Sequence, residues 1–133
     1  MKVVWSDKSK YDKWLQVELA ACEAWAEEGV IPSEDMVLLR GATYEIDHVN
    51  AEIDRTRHDM PAFLRSVTQG LGEEGRWLHL GLTTSDVWDT ATSLQLVEAA
   101  DLLAEDVDQL SHSLRNKALE HKHSMMMGRT HGV

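Results

Sequence analysis

The stretch that decides the fold is "TSDVWDTATSLQLVEAADLLAEDVDQLSHSLRNKALEHKH", Thr84 to His123. No proline or glycine interrupts it. Leu96, Ala100, Leu103, Val107, Leu110, Leu114 and Ala118 recur at spacings of three and four, the repeat of a helix with one apolar stripe. About forty residues at a rise of about 1.5 Å make a helix on the order of 60 Å long. That is far beyond the usual length of about three turns. A compact domain built from 133 residues does not need it. Thr83 and Asp86 have capping-box spacing at its start. Its far half has no obvious partner within the chain. The stripe is therefore expected to meet helices from another subunit or from sequence outside this chain.

Upstream the elements are shorter. Asp7 to Glu28 reads as a helix with an unusually broad apolar surface. Tyr11, Leu15, Leu19, Cys22 and Ala26 form one stripe, with Trp14, Val17, Ala21 and Trp25 beside it. Ser6 or Asp7 can cap it and Gly29 can end it. Pro32, followed by Glu34 and Asp35, suits the first turn of a second helix ending near Gly41. A third helix is expected from Glu45 to Arg57, with Ile46, Val49 and Ile53 on one face. A fourth is expected from Met60 to about Gln69, capped by Asp59, with Pro61 tolerated in its first turn. "GLGEEGRW" is expected to be loop, because three glycines fall within six residues. The fold class is all-α: a small helical N-terminal domain, 1–83, then 84–133, the long helix that begins a bundle and the start of a truncated central domain.

Composition narrows the function. The net charge is −10, which disfavours general attraction to nucleic acid or to an anionic membrane. No apolar run reaches membrane-spanning length, and "MKVVWSDKSKYDKW" has no signal-peptide core. The single cysteine, Cys22, sits in an apolar pattern and reads as core; one cysteine makes no intrachain disulfide and suits a reducing compartment. The expectation is a soluble cytoplasmic helical protein. A small anionic ligand still fits if Arg57, His58, Arg129 and His131 make a locally positive site.

Three short polar segments fall at helix ends or loops: "TRHD" (Thr56 to Asp59), "LTTSD" (Leu82 to Asp86) and "GRTHG" (Gly128 to Gly132). A helix N-terminus offers free N–H groups and partial positive charge. Thr83, Thr84 and Ser85 lie at such a point and could hold a carboxylate or phosphate, or simply cap the helix. Arg57 adds charge, and Asp59 can cap or orient. His58 and His131 are the natural acid–base candidates, since imidazole titrates near neutrality. "HKHSMMMGRTH" offers a metal-like tail, but His121 and His123 point to different sides of a helix and no acid or cysteine completes a ligand spacing, so no metal site is expected.

Together these segments resemble a known family. "WSDKSKYDKWLQVELAACEAWAEEGVIP", "TRHD", "LHLGLTTSDVWDTA" and "HKHSMMMGRTHGV" are similar, in order and spacing, to adenylosuccinate lyases; "GRTHG" and the "TS-x-D" type of segment are shared with the wider fumarase/aspartase superfamily. The resemblance implies an elimination that releases fumarate, from adenylosuccinate to give AMP and from the succinyl-carboxamide ribotide of purine synthesis, with no metal or organic cofactor. It implies that His131 is the acid–base histidine and that Arg57, His58 and Asp59 contact substrate, with His58 able to assist the acid. It implies that Thr83 and Thr84 are the hydroxyl pair and that Thr130 lies beside His131.

Two departures stand out. Thr84 occupies a place where many relatives have Ser, and the family's Arg-Tyr pair before the first helix is absent. The resemblance also implies a much longer parent chain, assembled as a homotetramer, whose sites combine segments of three subunits and whose catalytic serine lies beyond Val133. This chain is accordingly expected to be an N-terminal part, inactive alone. The competing expectation is a non-enzymatic module that self-associates through the long helix.

Overall fold

The computed structural model describes residues 1–132. Among the described residues every regular element is helical: α1 (Asp7–Glu27), α2 (Ser33–Leu39), α3 (Ile46–Thr56), α4 (Asp59–Thr68), a 3₁₀ turn (Glu73–Trp77) and α5 (Thr84–Glu120). No helix there is long and apolar enough to cross a membrane. The chain divides into two units, Met1–Ala99 and Ala100–Val133.

The caps explain the boundaries. Ser6 takes the N–H of Ser9 at 3.2 Å and starts α1. At its other end Gly29 adopts φ 75°, which glycine takes without a steric penalty. The Gly29 N–H then bonds Ala26 O and the Val30 N–H bonds Trp25 O, the paired bonds of a Schellman ending. Between α3 and α4, Ser66 seals the junction: its hydroxyl donates to Glu45 O at 3.2 Å and accepts from Glu45 N at 3.0 Å. Glu45 is the residue from which α3 starts.

The core of the first unit is aromatic. Phe63 of α4 stacks on Tyr11 at 5.7 Å and meets Trp14 edge-on at 5.4 Å; Trp14 in turn stacks on Trp88 of α5 at 6.2 Å. Cys22 is buried as expected. Burial, with the Glu18 charge adding to it, pushes its thiol up to about 11.

Three features depart from expectation. "GLGEEGRW" is not wholly loop: Glu73–Trp77 wind into a 3₁₀ turn, held because Trp77 Nε1 donates to Asp35 of α2 at 2.7 Å. Trp25 is exposed over 37% of its surface, and its ring N–H bonds Leu80 O at 3.0 Å instead of entering the core. On α5 the buried row is Val87, Ala91, Gln95 and Ala99, while Leu96 is exposed. Small residues there let the helix come close, and Gln95 donates to Val4 O.

In the second unit the remainder of α5 and residues 121–132 are exposed throughout. Leu103, Val107, Leu110, Leu114 and Leu119 are each more than half exposed.

Gly81 provides a direct check on how tightly the first unit fits. Its φ is 76°, and an added Cβ would stand 3.3 Å from the Trp25 ring. Gly81→Ala is expected to cost about 1–2 kcal/mol, read as a lowered urea midpoint with an unchanged slope.

Candidate functional site

"TRHD" forms the turn between α3 and α4. Arg57 closes α3 in the left-handed conformation, φ 57°, uncommon for a residue with a side chain. Thr56 holds the turn, its hydroxyl donating to Glu52 O at 2.7 Å and accepting from His58 N at 3.4 Å. This leaves Arg57 with 82% of its side chain exposed and His58 with 54%. The Arg57 guanidinium lies 3.9 Å from Asp54, a contact too open to hold it. His58 Nδ1 lies 3.7 Å from Asp59 Oδ1. Asp59 is the first residue of α4, not its outer cap, and its carboxylate accepts the N–H of Met60 at 2.8 Å. The turn thus presents a cation and an imidazole to solvent on a fixed backbone.

"LTTSD" forms the start of α5. The Asp86 carboxylate reaches back to accept both the N–H and the hydroxyl of Thr83, each at 2.7 Å. The expected capping pair is present, with the acid accepting both bonds. These two bonds, and after them the nearby His79 charge, hold the Asp86 carboxyl below its ordinary range. The Thr83 hydroxyl proton is therefore already used, while its lone pairs remain available. Thr84 begins the helix proper and is half-buried.

Thr130 and His131 lie in the second unit, in an exposed segment where His131 turns with φ 51°. Within the first unit Arg57, His58 and Asp59 share one turn, and Thr83 and Thr84 share one helix start. No hydrogen bond or ion pair among the described residues joins these two groups. A surface groove of about 420 Å³ lies elsewhere, between α1 and residues 42–47, lined by Lys8, Asp12, Tyr44 and Asp47 among others; the candidate residues do not line it.

Sequence reasoning passed over Glu18 and His79. Glu18 lies in the middle of α1 and is 0% exposed. It accepts the backbone N–H of His79 at 2.8 Å, and its other oxygen stands 2.6 Å from His79 Nδ1. The available signal was an acid at a core-facing position of α1, between Trp14 and Cys22.

These local geometries place N–H groups, hydroxyls, an imidazole and a cation at helix ends. The family described as "Lyase" matches residues 1–133, and the chain belongs to it. Along its whole length it is similar to the N-terminal region of adenylosuccinate lyases: 49% identical over 135 residues to that of Bacillus subtilis (strain 168) and 46% over 134 residues to that of Streptococcus mutans. The chain spans about a third of these relatives, 31% of each. Among solved structures it superposes on a fumarate lyase from Mesorhizobium sp. BNC1 with a TM-score of 0.88 and 26% identity, covering 99% of this chain and 32% of that one.

The Asp86 cap has a definite pH signature. A carboxylate whose value is lowered by folding stabilises the fold above the ordinary carboxylate range, and that contribution is lost as pH falls through the lowered value. Asp86→Asn is expected to melt below wild type at about pH 7, with the gap closing towards about pH 2, as followed by circular dichroism.

Proposed function

We propose that this chain is the N-terminal part of an adenylosuccinate lyase, a longer protein that eliminates fumarate from adenylosuccinate to give AMP, and from the succinyl-carboxamide ribotide. The observation that carries this is the identity of 49% to such an enzyme, which extends over all of this chain.

In this reading a base takes a proton from the succinyl group and an acid protonates the departing nitrogen. His131 is the acid–base histidine and His58 assists it. Arg57 offers its guanidinium to an anionic group of the substrate, and Asp59 fixes the turn that carries Arg57 and His58. Thr83 and Thr84 offer hydroxyl oxygens and the N–H groups of the α5 start, a natural seat for a carboxylate or phosphate. Thr130 stands beside His131. The exposure of Arg57 and His58 suits groups that await substrate and further protein segments.

The test is fumarate release by the longer protein that contains this chain. His131→Gln is expected to lower kcat on the order of a hundredfold or more, and Arg57→Ala is expected to raise KM. Full activity in both variants would remove these assignments. The 133-residue chain alone is expected to release no fumarate at an enzyme-like rate.

One observation supports a self-association surface within the same reading. Leu103, Val107, Leu110 and Leu114 are exposed by 55–63%, a row of large apolar side chains that water disfavours. On this reading the row receives helices of further subunits, as in a homotetramer. Sedimentation of the chain against a Leu103→Glu, Leu110→Glu double variant checks it: the wild type is expected to associate at high concentration and the variant to stay monomeric. Identical sedimentation would count against this surface.

A further inference from the structure

The acid in the middle of α1 has no role in the reading above. Both Glu18 oxygens are committed to one residue: Oε2 to the N–H of His79 and Oε1 to its ring Nδ1. His79 keeps 24% of its side chain exposed, and among the described residues its Nε2 has no hydrogen-bond partner and is not sealed from solvent. Its backbone is left-handed, φ 66°. It stands four residues before Thr83, on the approach to α5. An imidazole is thus held by backbone and ring together, beside the start of α5, with one nitrogen occupied and the other free.

An ionised carboxylate only accepts hydrogen bonds, so the neutral ring beside it carries its proton on Nδ1 and its lone pair on Nε2. We propose that Glu18 is a positioning residue: it fixes His79 as the Nδ1–H tautomer and so presents Nε2 as a hydrogen-bond acceptor at the substrate-binding region. The involvement of substrate rests on the lyase reading; the tautomer is a property of this chain alone.

Glutamine at position 18 makes the idea sharp. Its amide has one accepting and one donating end. The backbone N–H of His79 can only donate, so it claims the amide oxygen. The amide NH₂ then faces Nδ1, which must accept, and the proton moves to Nε2. A near-isosteric change therefore inverts the ring.

Long-range ¹H–¹⁵N correlation of the imidazoles in the labelled chain, at about pH 8 where ordinary histidine is neutral, reads this directly. The expected result is Nδ1–H for His79 in wild type and Nε2–H in Glu18→Gln. A wild-type ring protonated on Nε2, or an unchanged tautomer in a folded Glu18→Gln, overturns the proposal. If that variant does not fold, His79→Asn and His79→Gln decide. Asparagine carries a donor where Nδ1–H stood and tolerates φ above zero, so it should melt within a few degrees of wild type while His79→Gln melts lower; an equal loss in both overturns the proposal. In the longer protein, Glu18→Gln is expected to lower kcat on the order of tenfold, as loss of an orienting partner does elsewhere. An inverted tautomer with unchanged kcat removes the positioning role. A wild-type longer protein without lyase activity would instead sink the functional reading, leaving the tautomer result intact.

Discussion

A carboxylate shut away from water must find donors, and Glu18 finds both of its donors on one residue of the loop before α5. Leaving a buried acceptor without its donor costs about 1–3 kcal/mol, and more when the acceptor is charged, a large part of the stability of a domain this size. Two more residues on the same stripe of α1 reinforce it. Cys22 Sγ lies 3.6 Å from Trp77 O, and Trp25 donates to Leu80 O. Residues 18, 22 and 25 are one helical turn or so apart, so one edge of α1 grips the backbone of residues 77–80. That grip sets where α5 begins, and with it the position of Thr83, Thr84 and Asp86.

The helical architecture was legible because it depends on local signals. Apolar repeats, Ser6, Gly29, Pro32 and the Thr83–Asp86 pair each act within a few residues of themselves. The grip was not legible, since its partners are far apart in sequence. A lone Glu in an amphipathic pattern reads as solvent-facing until its donors are known. The inner face of α5 was not legible for a related reason. Periodicity weighs large apolar side chains, and Val87, Ala91, Gln95 and Ala99 are mostly small or polar. Close approach and one hydrogen bond, from Gln95 to Val4 O, fix that face.

The candidate site divides the same way. Motif spacing singled out "TRHD", "LTTSD" and "GRTHG" as candidate segments, and the structure gives the first two well-defined local geometry. Arg57 is held left-handed by the turn, and Thr83 is engaged by Asp86. Other groups in each unit turn away from the chain's own core. The exposed guanidinium of Arg57 and the exposed leucines of α5 share this character. Neither is covered by the described residues of this chain, and a row of exposed leucines is a surface that water disfavours.

The separation of 61 residues between Glu18 and His79 has a consequence for the order of folding. A helix α1 packed on α2–α4 ahead of the loop would bury a carboxylate without its donors, so such an intermediate is unfavourable. Closure of that long segment must therefore coincide with consolidation of the aromatic core. The first unit should collapse in a single cooperative step, late along the pathway, rather than growing outward from α1.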